Sequence, residues 1–556
     1  MSEQQRIFAT VAACIGILLV WQFLYVKPEV ERRPKQAVTA PAKDLGNNNT
    51  AAGTVAPTPS VAPATAEAPP PVAATPEVVP EVKREIDTPL FTGELSNHGA
   101  SLTRLELKGY DEKSEGQGPK KPVSLVTAEK NGGNHQAWLD LSLNHKPAPA
   151  LVWDSTKSEP TLVARTPDGA AVQVTIAPRP EAYALDYTVL VTNATSGPLP
   201  IDGKVTLSLK PVAKQKSSFF APPADMMNGL CAREAKVERK VADKLVKDGA
   251  FTHEGPVDWA GIDRQYFVVA LMPQELEPAT CTMASEEIKA ADGTVDHALH
   301  VDYGFAPASL APGQTLRRTY SIYVGPKRTD RLTAVSPTLG DVIDYVIWGI
   351  PLGFLARPMV FLMNTFHAWT TSWGIAIMML TLIVKLLLFP VTYKSSLSMR
   401  KMQLLKPELD KIKKQFDGDK ERQQLEQMKL FKDKGVNPLG GCIPMLLQMP
   451  VWLALYRTLW SAVDLYQQPF LWIPDLTAKE PFPFMAIALG ALTFLQQKLQ
   501  PTTMDSQQAK MMLYMMPAMM LLFMIALPSG LVLYILFNSV LTIFQQLAIN
   551  RTKVTL

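Results

Sequence analysis

The chain is poor in the residues that build metal centres and disulfide frameworks. Its 556 residues include four cysteines and seven histidines, with neither a CxxC pair nor an HExxH motif, so we predict no metal site. Cys14 and Cys442 lie in apolar stretches, which leaves Cys231 and Cys281 as the pair that could share an oxidising compartment. At this point a disulfide between them is possible and not required.

An excess of charge of one sign is also missing. Lys and Arg number 55 against 51 Asp and Glu, a formal net charge of +4, so a strong overall field for nucleic acid is excluded and any basic bias is local. No GxxxxGK[ST] phosphate loop occurs, and we predict neither a nucleotide nor any other cofactor.

The N-terminal region consists of an apolar run followed by a proline-rich segment. Ile7 to Val26 is uncharged, and its 20 residues would form a helix of roughly 30 Å, enough to cross a hydrocarbon core. A cleavable signal peptide is the alternative, but no small-x-small site follows, so we predict a signal-anchor helix at 1–27. Twelve prolines between Pro28 and Pro89 predict a disordered linker at 28–87.

Residues 88–328 show the alternation of apolar and polar residues that is typical of β-strands. Short alternating runs separated by Gly, Pro and Asn turns predict an all-β sandwich. A helical insertion is indicated by Val237, Val241 and Leu245 at intervals of four residues. The strand-forming positions are Leu102, Leu105, Leu107, Val172, Val174, Ile176, Leu185, Tyr187, Val189, Val191, Val205, Leu207, Leu209, Tyr320, Ile322 and Val324.

The remainder of the chain is apolar and predicts a helical membrane core at 373–556. Residues 340–366 are interrupted by charges and prolines, so we interpret them as an amphipathic helix in the membrane interface, with a spanning helix as the alternative. A helical hairpin is predicted at 394–436. The five predicted spans are 373–392, 440–461, 482–497, 511–527 and 529–547.

Loop charges orient these spans. Lys394 to Lys434 contains twelve Lys and Arg against seven Asp and Glu, which predicts a cytoplasmic hairpin. The acidic loop 462–481 is then outside, the β domain is extracytoplasmic, and both termini are cytoplasmic. The apolar stripe of the hairpin, which includes Leu425, Met428 and Phe431, is interpreted as packing, while its basic flank could meet anionic lipid, a nascent chain or ribosomal RNA.

Lys385 is the main candidate for function because it lies midway along the first span of the core. A charge at the centre of a spanning helix costs about 2.5–3.5 kcal/mol on insertion scales, so such residues usually face water or a partner. The five predicted spans contain no Asp or Glu, and we therefore expect a hydrated cavity to support the ammonium group.

Further candidates are polar residues that could line this cavity and methionines that could contact varied apolar partners. Each polar residue alone could instead bond between helices, and each methionine could simply face lipid. The polar candidates are Thr381, Gln448, Tyr534, Asn538, Ser539, Gln545 and Gln546, and the apolar candidates are Met445, Met449, Met512, Met516 and Met520.

Two segments resemble the signatures of the YidC/Oxa1/Alb3 family of membrane protein insertases. Residues 436–452 read VNPLGGCIPMLLQMPVW, and residues 527–534 read LPSGLVLY. The layout resembles the Gram-negative members, with a signal anchor, a periplasmic β supersandwich and a five-span core. Lys385 occupies the position where many members carry arginine, and lysine keeps the charge but not the planar fork. Ile535 stands where relatives often have a second tyrosine.

The resemblance implies a non-enzymatic insertase and chaperone of the cell inner membrane. Its groove would be hydrated, positively charged and open to the cytoplasm and to lipid, and the implied partners are nascent membrane proteins, the ribosome, membrane lipids, and the Sec translocon SecYEG with SecDF. A transporter would usually show paired repeats and broken helices, which we do not find. An intramembrane protease lacks its nucleophile and base in the spans. A membrane anchor for the β domain remains the structural alternative.

Overall fold

The computed structural model describes residues 80–111, 122–127, 130–131, 134–135, 139–148, 151–209, 227–234, 236–289, 295–347, 350–436, 443–499 and 506–551. The predicted signal anchor at 1–27 and the linker up to residue 79 lie outside these residues. The described part of the chain consists of a β domain followed by a helical region.

The strands are numbered in chain order. They are β1 Lys83–Asp87, β2 Phe91–Ser96, β3 Ser101–Asp111, β4 Pro122–Thr127, β5 Lys130–Asn131, β6 Asn134–His135, β7 Leu139–Leu143, β8 Lys146–Pro147, β9 Val152–Trp153, β10 Thr161–Arg165, β11 Ala170–Arg179, β12 Ala184–Asn193, β13 Leu199–Leu209, β14 Asn228–Arg233, β15 Lys236–Val241, β16 Phe251–Pro256, β17 Trp259–Asp263, β18 Phe267–Pro273, β19 Pro278–Lys289, β20 Val295–Leu310, β21 Thr315–Pro326, β22 Val346–Ile347 and β23 Ile350–Pro351.

The helices are likewise numbered in chain order. They are α1 Ala242–Asp248, α2 Thr329–Val335, α3 Gly353–Thr370, α4 Trp373–Leu404, α5 Lys406–Gln415, α6 Lys420–Asp433, α7 Ile443–Ser461, α8 Phe484–Leu499, α9 Ser506–Met524 and α10 Ser529–Arg551, with short 3₁₀ segments at Pro337–Val342 and Val463–Leu465.

The β domain consists of two large antiparallel sheets that share one apolar core. One sheet has the order β1-β2-β3-β7-β13-β20-β19-β16, with β4 beside β3 and β8 beside β7, and the other has the order β15-β14-β17-β18-β21-β12-β11-β10-β9. Alternation explains the register, because Val172 and Val174 pair with Val191 and Val189 and all four side chains are buried. The predicted sandwich is confirmed.

A disulfide joins the two sheets. Cys231 lies on β14 of one sheet and Cys281 on β19 of the other, with their Cα atoms 6.1 Å apart. Both side chains are buried in the shared core. The pairing that the sequence left open is therefore present.

Three predicted boundaries within and beside the β domain are wrong. The predicted linker 28–87 extends too far, because β1 (Lys83–Asp87) pairs along its whole length with β2. The helical insertion begins only at Ala242, since Val237 and Val241 belong to β15. The helix predicted at 340–366 is α3, Gly353–Thr370, and the residues before it form a 3₁₀ turn and the β22–β23 hairpin.

The predicted spans correspond to α4, α7, α8, α9 and α10, with shifted ends. Among the described residues two helices, Trp373–Leu404 and Ser529–Arg551, are long and apolar enough to cross a membrane, and Phe484–Leu499 and Lys510–Met524 are shorter apolar segments. The bundle core is formed by α3, α4, α7, α8 and α10, by Met524 at the end of α9, and by residues of the connecting loops.

The hairpin predicted at 394–436 differs in two respects. Its first part is a continuation of α4 as far as Leu404, so only α5 and α6 form the hairpin. Its small core contains Leu405, Leu409 and Val436, whereas Leu425 and Met428 are exposed and do not continue the predicted packing stripe.

The β domain is fixed to the loop between α7 and α8. The Tyr466 hydroxyl donates to the carbonyl oxygen of Asp111 at 2.7 Å, and the Gln467 amide donates to the same oxygen at 2.7 Å. The Tyr466 ring lies 5.1 Å from Tyr266 and 5.9 Å from Phe267, centroid to centroid. These contacts set the β domain directly against the membrane half of the chain.

Candidate functional site

The site is built around Lys385, which α4 places in the middle of an apolar helix. At 1.5 Å per residue, Lys385 lies about 18 Å along the helix from Trp373. The side chains of Thr381 and Val384 on one side of it are buried, and those of Leu382 and Leu386 on the other side are exposed. Lys385 is therefore at the margin between the bundle interior and its outer surface, and it is partly buried.

The ammonium group of Lys385 donates hydrogen bonds across to α10. Its Nζ lies 2.8 Å from Oγ1 of Thr542 and 3.3 Å from Oδ1 of Asn538. Thr542 in turn donates its hydroxyl hydrogen to the carbonyl oxygen of Asn538, at 2.7 Å. A lysine has three donors, so two of them have neutral oxygen acceptors here. The protein itself therefore supplies part of the support for this charge, and the hydrated cavity stays a prediction.

Two further hydrogen bonds join α4 and α10 towards the C-terminal end of α4. Gln545 donates to Oγ1 of Thr392 at 2.9 Å, and Arg400 donates to the carbonyl oxygen of Ile549 at 2.6 Å. The intervals of seven and eight residues on α4 keep these side chains on one face. We call this arrangement the α4–α10 seam, and it consists of Lys385, Thr392, Arg400, Asn538, Thr542 and Gln545.

The other polar candidates lie outside this seam. Gln448 on α7 donates to the Tyr534 hydroxyl at 2.9 Å, which makes a second polar contact to α10. Gln496 donates to the carbonyl oxygen of Ser539 at 2.9 Å, so Ser539 contributes its backbone. Thr381 and Gln546 bond within their own helices, to Ile377 at 2.7 Å and Asn550 at 3.2 Å.

Three seam residues were not among the sequence candidates. Thr542 contacts Lys385 directly, Thr392 accepts from Gln545, and Arg400 donates to the end of α10. Thr542 was detectable, because it follows Asn538 by four residues and so shares its helix face. Thr392 and Arg400 follow Lys385 by seven and fifteen residues, a spacing that becomes informative only once α4 is known to continue past Pro390.

The methionine candidates are divided between exposed and partly buried positions. Met449 and Met516 are exposed, with 44% and 41% of their surface accessible, and the amide of Gln497 donates to the Met516 sulfur at 3.0 Å. Met512 and Met520 are partly buried. The side chain of Met445 lies outside the described residues.

The described residues contain no group of three or more His, Cys, Asp or Glu that could hold a metal ion. Within the seam the chemistry consists of one lysine, one arginine and neutral hydrogen-bonding groups. Such a set can attract, hold and release an anionic segment through charge and hydrogen bonds. No nucleophile with an adjacent general base is present among these seam residues.

The fold and the site define a helical membrane protein with a charged seam between two helices and a β sandwich outside the bilayer. Two family models match the chain: the 60Kd inner membrane protein family over residues 365–555 and the YidC periplasmic domain over residues 83–362.

Relatives that cover most of the chain extend this match. A membrane protein insertase YidC of Anaeromyxobacter dehalogenans strain 2CP-C is 35% identical, over 98% of this chain and 96% of the relative. One from Geobacter sulfurreducens is 34% identical, over 84% of this chain and 86% of the relative. A crystal structure of an active YidC insertase covers 86% of this chain and 94% of its own, with 18% identity and a TM-score of 0.36. The chain belongs to the YidC family of membrane protein insertases, which are inner membrane proteins with a periplasmic domain.

Proposed function

We propose that this chain receives the hydrophilic end of a nascent membrane protein at the α4–α10 seam and releases its apolar segment sideways into lipid. The observation that carries the proposal is the position of Lys385, a charge in the middle of an apolar helix whose ammonium group is held by Asn538 and Thr542. An acidic or strongly polar client segment would find there a charge and hydrogen-bond donors at a depth where lipid offers neither.

Energetically, the seam reduces the cost of moving polar groups into the bilayer. In this scheme the groove around Lys385 is hydrated and open to the cytoplasm, and Tyr534 with Gln448 forms a polar contact deeper in the bundle. The favourable terms are the partitioning of the client's apolar helix into lipid and the membrane potential. No covalent step and no nucleotide enters this scheme.

The orientation and the partners follow from this proposal. Both termini and the α5–α6 hairpin are cytoplasmic, where the basic flank of the hairpin can meet a ribosome that is synthesising a client. Help with folding and assembly, and cooperation with the Sec translocon SecYEG and with SecDF, are further expectations of the proposal.

Site-specific crosslinking of ribosome-bound nascent chains tests the proposal. A photoreactive residue at Thr392 or Gln545 is expected to crosslink to the hydrophilic head of a short nascent membrane protein. A matched control at Leu387, which is 73% exposed on a different face of α4, should not crosslink to that head. Equal yields at the seam and at Leu387 would contradict the proposed path.

A further inference from the structure

A second polar recess lies far from Lys385, where the β domain meets the membrane half of the chain. It is a cavity of about 370 Å³. Its walls come from the residues after β21, from one face of α3, from the start of α4, and from the end of α7 with the 3₁₀ turn that follows. The side chains that matter below are Arg328, Asn364, His367, Trp373, Thr458 and Asp464.

One wall of the cavity contains the carboxylate of Asp464, which shares its arginine partner with a second carboxylate. Asp464 lies 3.4 Å from Nε of Arg328, measured to its Oδ1, but Arg328 also holds Asp330 through two contacts of 3.0 and 3.1 Å. Burial raises the pKa of the Asp464 carboxyl above its usual range. A cation in the cavity would therefore be stabilised by Asp464.

The same cavity offers donors for an anion. Arg328 has five N–H donors, of which Asp330 takes two. The side chain of Thr458 is buried, with 1% of its surface accessible, and its hydroxyl has no hydrogen-bond partner among the described residues. A buried hydroxyl without a partner usually marks a place where a water or ligand atom completes the hydrogen bond.

The mouth of the cavity lies beside an apolar surface. Along α3, Met359 faces the bundle core, Met363 lies between the core and the cavity, and Asn364 and His367 line the cavity. The next face around the helix exposes Phe361, with 70% of its surface accessible. An amphiphile could therefore place its polar head in the cavity and its chains along α3.

We propose that this cavity binds the headgroup of an aminophospholipid from the periplasmic leaflet, with its ammonium group against Asp464 and its phosphate against Arg328 and Thr458. The His367 ring is stacked on Trp373, with ring centroids 3.8 Å apart, and forms a flat wall for the glycerol region. The binding site is independent of the client path at Lys385. The bound lipid is then a structural component of the junction between the β domain and the membrane.

Lipid binding to the full chain in detergent tests this assignment. Phosphatidylethanolamine should raise the melting temperature more than phosphatidylcholine, whose quaternary ammonium cannot donate a hydrogen bond to Asp464, and more than phosphatidylglycerol, which has no cation. Free phosphoethanolamine should bind at least tenfold more weakly, because it lacks the chains. If phosphatidylglycerol or phosphoethanolamine matches phosphatidylethanolamine, the proposal is overturned.

Two variants separate binding from folding. Asp464→Asn removes the charge that selects the ammonium group, and Asn364→Trp fills the mouth from an exposed position that should not disturb folding. Each should lower the apparent affinity for phosphatidylethanolamine at least tenfold. The matched control is Asp186→Asn, because Asp186 is paired with an arginine in the β domain and does not line the cavity. Parent-like affinity in both cavity variants would refute the site.

Discussion

At the scale of single residues, the insertion cost of Lys385 and the free energy of its hydrogen bonds explain why a charge can remain in an apolar helix. Placing a lysine at a helix centre costs about 2.5–3.5 kcal/mol on insertion scales. A hydrogen bond to a charged group contributes roughly 1.5–3 kcal/mol, and Lys385 has such contacts with Thr542 and Asn538. The two effects are of similar size, so the lysine can be held at depth without a carboxylate partner.

Thr542→Val should therefore weaken insertion of clients with acidic heads by roughly tenfold, because the shorter of the two ammonium contacts is lost. Valine keeps the shape of threonine, so the helix should remain folded. Insertion of a client protein in cells, measured by protease accessibility, checks this. The matched control is Thr381→Val, whose hydroxyl bonds only within its own helix. Equal defects in the two variants would show that the contact to Lys385 is not the cause.

Asp140 in the β domain predicts a pH dependence of stability. Burial raises the pKa of its carboxyl from 3.8 to about 6. The folded state therefore keeps this proton up to about pH 6, while the unfolded chain releases it near pH 4, so the contribution of this group to stability falls as pH rises between these values. Asp140→Asn should raise the melting temperature at pH 7 and flatten its change between pH 4 and 6. A variant with an unchanged pH profile would contradict this assignment.

The sequence predicts single residues of the site, but it does not predict the contacts between them. Lys385 and Asn538 are predictable, because a charge or an amide in an apolar run is conspicuous. Their contact is not, because 153 residues separate them and no periodicity links α4 to α10. Gln448 and Tyr534 likewise formed part of one candidate set, but only the fold shows that they bond to each other rather than to Lys385.

At the scale of elements, boundaries were harder to predict than element types. Alternation identified the strands of the sandwich, since each buried residue is two positions from the next. The predicted span ends at Thr392, but the helix passes through Pro390 and ends at Leu404, 32 residues in all. Neighbouring helices and Thr side chains can satisfy the backbone groups that a proline frees. The composition around β1 predicts a linker and not a strand, because Lys83–Asp87 lies in a Pro- and Glu-rich stretch.

The disulfide between β14 and β19 should stabilise the β domain, because it closes a loop over a sequence separation of 50 residues. Removing such a bridge typically costs about 2–5 kcal/mol. The double variant C231A/C281A should lower the free energy of unfolding by an amount in this range, as measured by denaturation of the purified chain. The parent protein under reducing conditions is the control, and it should match the variant. Equal stability of the oxidised parent and the variant would contradict this role.

At the scale of the whole molecule, a buried polar network ties the β domain to the segment that leads into the bundle. Asp263 accepts from Lys327 at 2.8 Å and from Arg239 at 2.9 Å, and Arg239 also donates to the carbonyl oxygen of Val342 at 2.6 Å. Burial lowers the pKa of Lys327, although Asp263 opposes this shift. This network is not predictable from the sequence alone, because its residues come from four separate segments.

Deletion of most of the β domain separates an insertase from a membrane anchor. Insertion takes place at the α4–α10 seam in this account, so a chain that lacks residues 92–310 should still support growth and client insertion. Its stability should fall, since Val463 and Tyr466 lose the core that buries them. Complementation of a strain depleted of its own insertase checks this. Complete loss of function in a variant that accumulates normally would favour the anchor.

Charge reversal at Lys385 is the decisive experiment for the proposed role of this lysine. Insertion of one client with an acidic head and of the same client with a neutral head should be measured for the parent, Lys385→Arg and Lys385→Glu. If the lysine acts by attraction, Lys385→Arg inserts both clients, and Lys385→Glu loses the acidic client while keeping most insertion of the neutral one. Normal insertion of the acidic client by Lys385→Glu would contradict the account.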